Sequence, residues 1–440
     1  MRGARGGLVL GLWLLGPPGA QAEEVPVSLA DALAIAEKAN PELQAAAARV
    51  EEQAARADSV RRMRWPRLGL SVDWSRTDLP AGVFANKLNA GQFTMADFDV
   101  ARINDPGPLS HLGSSLSLEV PIDVFGKVGT MAGAMTAYRD AASAGRRDAL
   151  QEVRMRVVEA YRHADLAHRA VEVTARVLEV ARARESEIEA RVEAGGALKA
   201  DLLRARARRR QREADLAERR GQEAMALAGL GRLLGAAEGT SYVPTDAPPP
   251  VAPLPGDEVQ WSARALRQRP LLEAARHKAQ AAASFVSQER KALLPDVGAR
   301  GQLWDDRIDA GNAQAWAFGV GLRWAPFDPG RSKREAAATA EEHAAELDAR
   351  AAADQVRLEV QLAYRRALAA RERYAAAAGG TEEGREALRV LQERRQAGMA
   401  TLTDELETET AALGAALEEI GAASEVAIAD AALRRAAGEM

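Results

Sequence analysis

The sequence repeats itself once along its length, and this duplication restricts the possible folds more than any other feature. The segment "NPELQAAAARVEEQAARADSVRRMRWPRLG", which begins at Asn40, aligns without a gap with "RPLLEAARHKAQAAASFVSQERKALLPDVG", which begins at Arg269. Further on, "VRMRVVEAYR" from Val153 matches "VRLEVQLAYR" from Val356. Long internal repeats indicate two copies of one supersecondary unit, so the fold must be built from two related halves.

Each half is predicted to run in the same order: a helix, two β-strands joined by a loop, and a long helical hairpin. We assign residues 23–243 to the first repeat and residues 259–440 to the second. Residues 244–258, "PTDAPPPVAPLPGDE", are predicted to be an extended linker because of their proline content.

The N-terminal residues 1–22 are predicted to be a cleaved signal peptide. Arg2 and Arg5 precede the apolar run "LVLGLWLL", and "AQA" at residues 20–22 suits signal peptidase. The alternative is a transmembrane anchor, but the run is much shorter than the ~20 residues that span a bilayer.

Four segments alternate apolar and polar residues, which predicts β-strands with one apolar face and one polar face. In the clearest of them, Trp316, Phe318 and Val320 share one face, and Ala317 and Gly319 share the other. The predicted strands are residues 67–77, 113–122, 296–305 and 315–326.

The length of these strands and the tryptophans around them favour a membrane-embedded sheet. Strands of about ten residues span a bilayer when they are tilted, and aromatic residues gather where such strands leave the hydrocarbon. A small soluble sheet with one face buried on helices is the alternative. The tryptophans that we assign to a membrane girdle are Trp65, Trp74, Trp304, Trp316 and Trp324.

Four strands cannot close a barrel, and lipid does not tolerate an open sheet edge. The chain must therefore share a barrel with copies of itself. The sequence does not fix the number of copies; three would give a barrel of twelve strands.

The remaining sequence is typical of long helices. No proline occurs between Ile122 and Val243, so residues 127–194 can form one helix near 100 Å long at 1.5 Å per residue. Apolar residues recur every seven positions there, as in a coiled coil, and many of them are alanines that let helices approach closely. The helix before the first strand and the helix after Gly195 together equal it in length, which predicts a tall helical barrel.

Composition excludes several classes of protein. The chain has no cysteine, so disulfides, thiol catalysis and cysteine-ligated metals are excluded. Its formal charge of −4 makes it a poor nucleic-acid partner. Its five histidines are dispersed, and no catalytic constellation or cofactor motif stands out, so we expect neither an enzyme nor a bound metal.

The sequence resembles the TolC-like outer-membrane efflux proteins in the order of its motifs along both halves of the chain. The motifs that carry the resemblance are "SLADALAIAEKANPEL" from Ser28, "VPIDVFGK" from Val120, "LLPDVG" from Leu293 and "APFDPGR" from Ala325. The resemblance covers nearly the whole chain after residue 22.

The resemblance implies a mainly α-helical chain with a transmembrane β part, assembled as a homotrimer. A twelve-stranded barrel would then stand on a long α-helical coiled-coil barrel, in the outer membrane of a Gram-negative bacterium and extending into the periplasm. The implied function is the passive exit duct of a tripartite efflux or type I secretion system. The implied partners are outer-membrane lipid, a periplasmic adaptor protein and an inner-membrane pump of RND or ABC type.

The resemblance also assigns roles at the hairpin tips. Family members carry a glycine at each tip and an aspartate six residues later, followed in the second half by another acid. By this pattern the periplasmic aperture is lined by Asp201, Asp404 and Glu407, and the adaptor docks on Gly195, Gly196, Gly398 and Met399. The family's aromatic latch residue is replaced here by Arg395.

One predicted tip is basic where its twin is acidic. Arg204 and Arg206 occupy the positions that Glu407 and Glu409 hold in the second half. If the hairpins alternate around a tube, neighbours would pair these charges and favour a closed end, each exposed pair contributing ~0–1 kcal/mol.

A second function remains open from the residues alone. A periplasmic coiled-coil adaptor or scaffold without a pore would also need long helical hairpins. Such a protein would have one hairpin flanked by soluble β-domains, whereas this chain has two hairpins and strands that end in aromatic residues.

Overall fold

The computed structural model describes residues 23–237, 239–309 and 311–440, and the signal peptide expected over residues 1–22 lies outside the described residues. The chain divides into two compact units. The helical unit comprises the residues up to Ala45, Asp148–Arg269 and Val356–Met440. The sheet unit comprises Ala46–Arg147 and Pro270–Gln355.

The order of elements confirms the duplicated helix–strand–strand–helix plan. The first half contains β1 (Glu23–Val27), α1 (Leu29–Ala39), α2 (Pro41–Arg61), β2 (Arg67–Thr77), α3 (Pro80–Asn89), α4 (Val100–Asn104), β3 (Leu109–Ile122), α5 (Lys127–Glu193), α6 (Lys199–Leu234) and β4 (Thr240–Pro244). The second half contains α7 (Glu258–Gln268), α8 (Pro270–Lys291), β5 (Asp296–Ile308), β6 (Gly311–Arg323), α9 (Arg331–Gln396) and α10 (Leu402–Ala437).

The two longest of the described helices, α5 with 67 residues and α9 with 66, each follow a turn that contains an aspartate. Asp123 accepts hydrogen bonds from the backbone N–H groups of Val128 and Gly129, each at 3.1 Å. Asp328 accepts one from the N–H of Gly330 at 2.9 Å. Acceptors at a helix N-terminus satisfy donors that the helix itself leaves unpaired. The motifs "VPIDVFGK" and "APFDPGR" are therefore helix-start signals.

All four long helices end in the same way. The glycine after each one has positive φ, and it and the next residue donate their N–H groups back into the last turn. This is the Schellman arrangement, and it needs the left-handed conformation that glycine adopts without strain. The four glycines are Gly195, Gly235, Gly398 and Gly438.

The helical unit has a core of small side chains at heptad spacing. Val153, Val157 and Ala164 on α5 are completely buried, as are Val356 and Val360 on α9. Around the first group lie buried residues of α1 and α6, so the short and the long helices pack through one contiguous core. The heptad pattern therefore identified the correct helix face. None of the helices within the described ranges is long and apolar enough to span a bilayer.

The sheet unit contains a four-stranded antiparallel sheet in the order β2-β3-β5-β6. Leu70 pairs with Leu116, Leu116 with Leu303, and Leu303 with Trp316, so the apolar residues of all four strands share one face. The two strands β2 and β6 form the edges of this sheet.

Three strands differ in length from the sequence prediction. β3 begins at Leu109 rather than at residue 113, and β5 continues to Ile308 rather than ending at 305. β6 spans Gly311–Arg323, earlier at both ends than the predicted 315–326, and Asp309, directly after β5, has φ +50°. The added segments are mostly polar, and apolar residues such as Leu109 and Ile308 do not continue the alternation of their strands, so hydrophobic alternation could not reveal them.

A small parallel sheet joins β1 to β4 and was not predicted. Tyr161 on α5, fully buried, fixes this junction. Its hydroxyl donates to the carbonyl of Val27 at 3.0 Å and accepts from the N–H groups of Thr245 and Asp246 at 3.0 and 2.9 Å. The start of the linker is thereby held against the first strand.

Replacing Tyr161→Phe should release the start of the linker. The substitution leaves the N–H of Asp246 without its partner, at a cost of ~2 kcal/mol, so hydrogen exchange at that amide should accelerate roughly thirtyfold. The N–H of Thr245 also donates to the carbonyl of Val27 at 3.1 Å, so its exchange should accelerate less. Tyr364, the equivalent residue of the second half, is only half-buried, and Tyr364→Phe is the matched control. Equal exchange rates in the two variants would contradict the role of Tyr161.

Candidate functional site

The two hairpin tips lie in the helical unit and have the same backbone geometry. At the first, Gly195 has φ +72°, and the N–H of Gly196 donates to the carbonyl of Arg191 at 2.7 Å. At the second, Gly398 has φ +73°, and the N–H of Met399 donates to the carbonyl of Arg394 at 2.9 Å. The tip residues predicted for docking therefore close the Schellman turns, and Met399 is 73% exposed beside one of them.

Asp404 lies at the start of α10, where it forms a capping box with Thr401. The Thr401 hydroxyl accepts from the N–H of Asp404 at 3.2 Å, and the Asp404 carboxylate accepts from the N–H of Thr401 at 3.1 Å. The hydrogen bonds from Thr401 lower the pKa of Asp404, because they stabilise the ionised carboxylate. This predicted aperture residue thus also defines where its helix begins.

Glu407 lies one turn further along α10, between two arginines of the first hairpin. Its Oε1 atom is 3.2 Å from Nη1 of Arg184 on α5 and 3.3 Å from Nη1 of Arg208 on α6. The three charged side chains lie in a cavity between the hairpins, whose lining also includes Arg212, two polar residues, and small or apolar residues such as Val177 and Leu406. Within one chain, Glu407 therefore links the acidic hairpin to the basic one.

The other tip charges form pairs within their own hairpins. Arg204 lies 3.1 Å from Asp201, one turn before it on α6. Arg206 lies 2.6 Å from Glu189 on α5, whereas Glu409 on α10 is half-buried. Pairing of Arg204 and Arg206 with acids of a neighbouring hairpin stays a prediction about the assembled protein.

Arg395, at the position of the family's aromatic latch residue, forms an ion pair with Glu405. The pair joins the last turn of α9 to the first turn of α10, so it braces the tip of the second hairpin. Arg395 is exposed and Glu405 is half-buried, and a partly exposed salt bridge of this kind contributes on the order of 1 kcal/mol or less.

The sheet separates the five tryptophans that were predicted to form a girdle. Trp74 and Trp316 lie on its apolar face, and Trp65 and Trp324 lie just beyond the ends of β2 and β6. Trp304 pairs with Ser115 and Ala315, which places it on the polar face, opposite its neighbour Leu303. Successive residues of a strand point to opposite faces, so Trp304 cannot share the face of Leu303 and does not belong with the other four.

The polar face of the sheet carries cross-strand hydrogen bonds. Ser71 and Ser115 are 2.9 Å apart, and His111 Nε2 lies 2.8 Å from an oxygen of Asp306. In the described ranges, no group of three or more histidine, aspartate and glutamate side chains is arranged to hold a metal ion.

A family model described as outer membrane efflux protein matches residues 32–236 and 261–439, which is most of the chain. The chain belongs to the outer membrane efflux protein family. It is an outer-membrane channel of a Gram-negative bacterium, extends into the periplasm, and forms the exit duct of a tripartite efflux system. Proteins of this family are channels rather than enzymes, and they act with an adaptor and an inner-membrane pump.

Solved structures show that the chain shares the fold of such channels. It is similar to the CmeC outer membrane channel of Campylobacter jejuni, with 18% identity, 93% of this chain and 85% of that chain covered, and a TM-score of 0.75. For the outer membrane protein VceC of Vibrio cholerae the identity is 20%, the coverage 93% and 96%, and the TM-score 0.70. For the open state of the Neisseria gonorrhoeae MtrE outer membrane channel, the identity is 20%, the coverage is 93% of this chain and 88% of that chain, and the TM-score is 0.71. No curated protein sequence matches the chain.

Sequence reasoning missed several residues that shape the tip. Thr401 had a readable signal, because "TLTD" at residues 401–404 fits the capping-box pattern. Arg184 and Arg208 had none, because their contacts with Glu407 join segments that are about 200 residues apart in the sequence.

A reciprocal exchange of helix caps tests the difference between the tips of this efflux protein. Thr401 and Leu198 occupy equivalent positions, but Leu198 offers no side-chain cap to α6. Thr401→Leu should remove ~1 kcal/mol of cap stability and Leu198→Thr should add a similar amount by pairing with Asp201. Hydrogen exchange in the first turn should become faster in α10 and slower in α6. No change at either tip would contradict the assignment.

The same capping box should be sensitive to acid. Because the folded pKa of Asp404 is lowered, the cap is fully stable above the unfolded pKa of about 3.9 and is lost as the pH falls through the folded value. Exchange in the first turn of α10, corrected for its intrinsic rate, should therefore rise in strong acid, and Asp404→Asn should remove that dependence.

Proposed function

We propose that three copies of this chain form a passive duct, with twelve barrel strands in the outer membrane and a helical tunnel that is gated at the hairpin tips. The observation that carries the proposal is the sheet of β2, β3, β5 and β6, which is apolar on one face, polar on the other, and open at both edges. The boundaries proposed for the repeats remain 23–243 and 259–440, joined by the linker 244–258.

The sheet edges are the first argument for assembly. The outer sides of β2 and β6 have backbone groups without a partner strand in the sheet of one chain. In hydrocarbon, an unsatisfied backbone group costs several kcal/mol, so such edges must pair. Copies of the same chain supply a β6 edge for each β2 edge, and three of them give the twelve strands of the proposed barrel.

The exposure of the apolar face is the second argument. Leu70 on β2 is 75% exposed and Phe318 on β6 is 71% exposed, while the polar face carries serines, alanines and glycines. Lipid would cover the first face and water the second. Trp65, Trp74, Trp316 and Trp324 would then lie near the two membrane surfaces.

We place the gate in the helical unit, at the cluster of Glu407, Arg184 and Arg208, and assign Asp404 and Asp201 of the same hairpin tips to it. The ion pairs hold the second hairpin against the first, which favours the closed arrangement of each chain. Opening would require this contact to break. The exposed turns at Gly195, Gly196, Gly398 and Met399 would receive the periplasmic adaptor, through which an inner-membrane pump of RND or ABC type delivers the cargo. The duct itself needs no cofactor, catalysis or nucleic acid.

A pair of adjacent substitutions tests the two faces of the sheet. Phe318→Arg places a charge in the proposed hydrocarbon at a cost of ~2–4 kcal/mol, so it should lower the amount of urea-resistant trimer in the outer membrane. Ala317→Arg, one residue away on the water-filled side, should leave that amount nearly unchanged.

The amount of trimer resolved on gels without heating is compared at matched expression. Equal losses in the two variants would contradict the assignment of faces, and so would a greater loss in Ala317→Arg.

Glu407→Gln tests the gate. Removing the charge breaks both ion pairs, and because each exposed pair contributes at most ~1 kcal/mol, the mean conductance in planar bilayers should rise several-fold without loss of assembly. The matched control is Glu393→Gln, which removes an exposed pair with Arg389 within one helix. Wild-type conductance in Glu407→Gln, or an equal rise in the control, would refute the assignment.

A further inference from the structure

The connection between β2 and β3, residues 78–108, is folded, and its position suggests a second closure of the duct. We propose that it is an inward-folded lid and that the lids of three copies meet over the outer mouth of the barrel. This inference rests on the proposed trimer.

The connection has a small core of its own. Phe93 lies edge-to-face against Phe84 and Phe98, with ring centroids 4.5 and 5.1 Å away. Lys87 on α3 forms a 2.7 Å ion pair with Asp97, whose side chain is only 13% exposed. The hydrogen bonds from Lys87 and Thr94 lower the pKa of Asp97, which keeps this pair charged. The segment therefore has a defined shape.

The lid lies on the polar face of the sheet. The amide Nε2 of Gln92 donates to the carbonyl of Ile308 at 2.8 Å, and a Cβ atom at Gly311 would overlap the Gln92 side chain. A Cβ atom at Gly91 would lie 3.6 Å from Cβ of Ala313. Gly311 and Ala313 belong to the alternate positions of β6 that share the polar face, opposite Phe318. In a closed barrel this face surrounds the lumen.

The packing is extensive enough to bury part of the strand end. Ile308, which pairs with Gly311, is 1% exposed, and Val83 on α3 is 5% exposed. Apolar side chains buried at this point fix the connection against the sheet in one orientation.

Part of the lid surface is apolar and uncovered in the single chain. Several large side chains stand out from a connection that would otherwise face water, and such patches indicate a partner surface. Lipid is a poor candidate, because the lid lies on the opposite side of the sheet from the lipid-facing residues. The exposed residues are Leu79, Leu88, Met95, Phe98 and Val100.

The dimensions favour the same lid of another copy as the partner. Twelve strands about 4.8 Å apart and tilted by about 40° enclose a ring roughly 24 Å across. A helix with its side chains is about 10 Å in diameter. Three lids that extend inward from such a wall must meet near the axis, so each apolar surface would be covered by its neighbours.

Cysteine accessibility tests the lid, and the natural absence of cysteine makes the experiment clean. Ala317→Cys places one thiol on the polar face, four residues along β6 from Ala313. Maleimide reagents of small size, and others enlarged by polyethylene glycol, are added to intact cells. The lid is released in a second background by combining Lys87→Ala with Gln92→Ala. Asn104→Cys on the exposed side of α4 is the control for reagent access, and the unheated trimer band is the control for assembly.

We expect the small reagent to modify Ala317→Cys in both backgrounds, and the large one to modify it only when the lid is released. Equal modification by the large reagent in both backgrounds would overturn the lid and leave the proposed duct intact. Protection from the small reagent in both backgrounds would show that this face is not the wall of a water-filled lumen, and would contradict the proposed function as well.

Discussion

In hydrocarbon, every backbone N–H and C=O group must have a hydrogen-bond partner within the protein. The rest of this structure depends on that requirement. One chain supplies four paired strands and two unpaired edges, so its sheet is incomplete by itself. The duplication gives each half two strands and one long hairpin, which couples the number of strands to the number of hairpins. Under the proposed assembly, three chains would bring twelve strands together with six hairpins.

The two halves share a backbone plan, but some side-chain hydrogen bonds occur in only one of them. Gly195 and Gly398 close equivalent turns, yet only the second tip has a side-chain cap, at Thr401. Tyr161 is buried with three hydrogen bonds, while its counterpart Tyr364 is half-buried. A duplicated chain can thus specialise one copy of a position without disturbing the shared geometry.

Much of the fold could be predicted because it depends on local patterns. Heptad spacing identified the buried face of α5 through Val153 and Val157, and strand alternation identified the apolar face through Leu70 and Phe318. Where alternation gave way to polar residues, as in β5 beyond Asp305, the pattern no longer showed that the strand continued. Trp304 was misplaced because it was assigned by its position at the end of a predicted strand without regard to its face, and a single step along a strand reverses the face.

The contacts that distinguish this chain are long-range, and no local pattern encodes them. The position of Glu407 between Arg184 and Arg208 depends on how two hairpins pack, and the parallel pairing of β1 with β4 joins segments more than 200 residues apart. The inward fold of the β2–β3 connection likewise depends on Gln92 meeting the far end of β5. The sequence analysis predicted neither α3 nor α4.

Closure of the sheet by copies of the same chain is the requirement on which the proposed duct depends most. Native mass spectrometry of the protein extracted from the outer membrane measures that directly. We expect a single assembly with three times the mass of one chain. A folded, membrane-embedded species with the mass of one chain would contradict it.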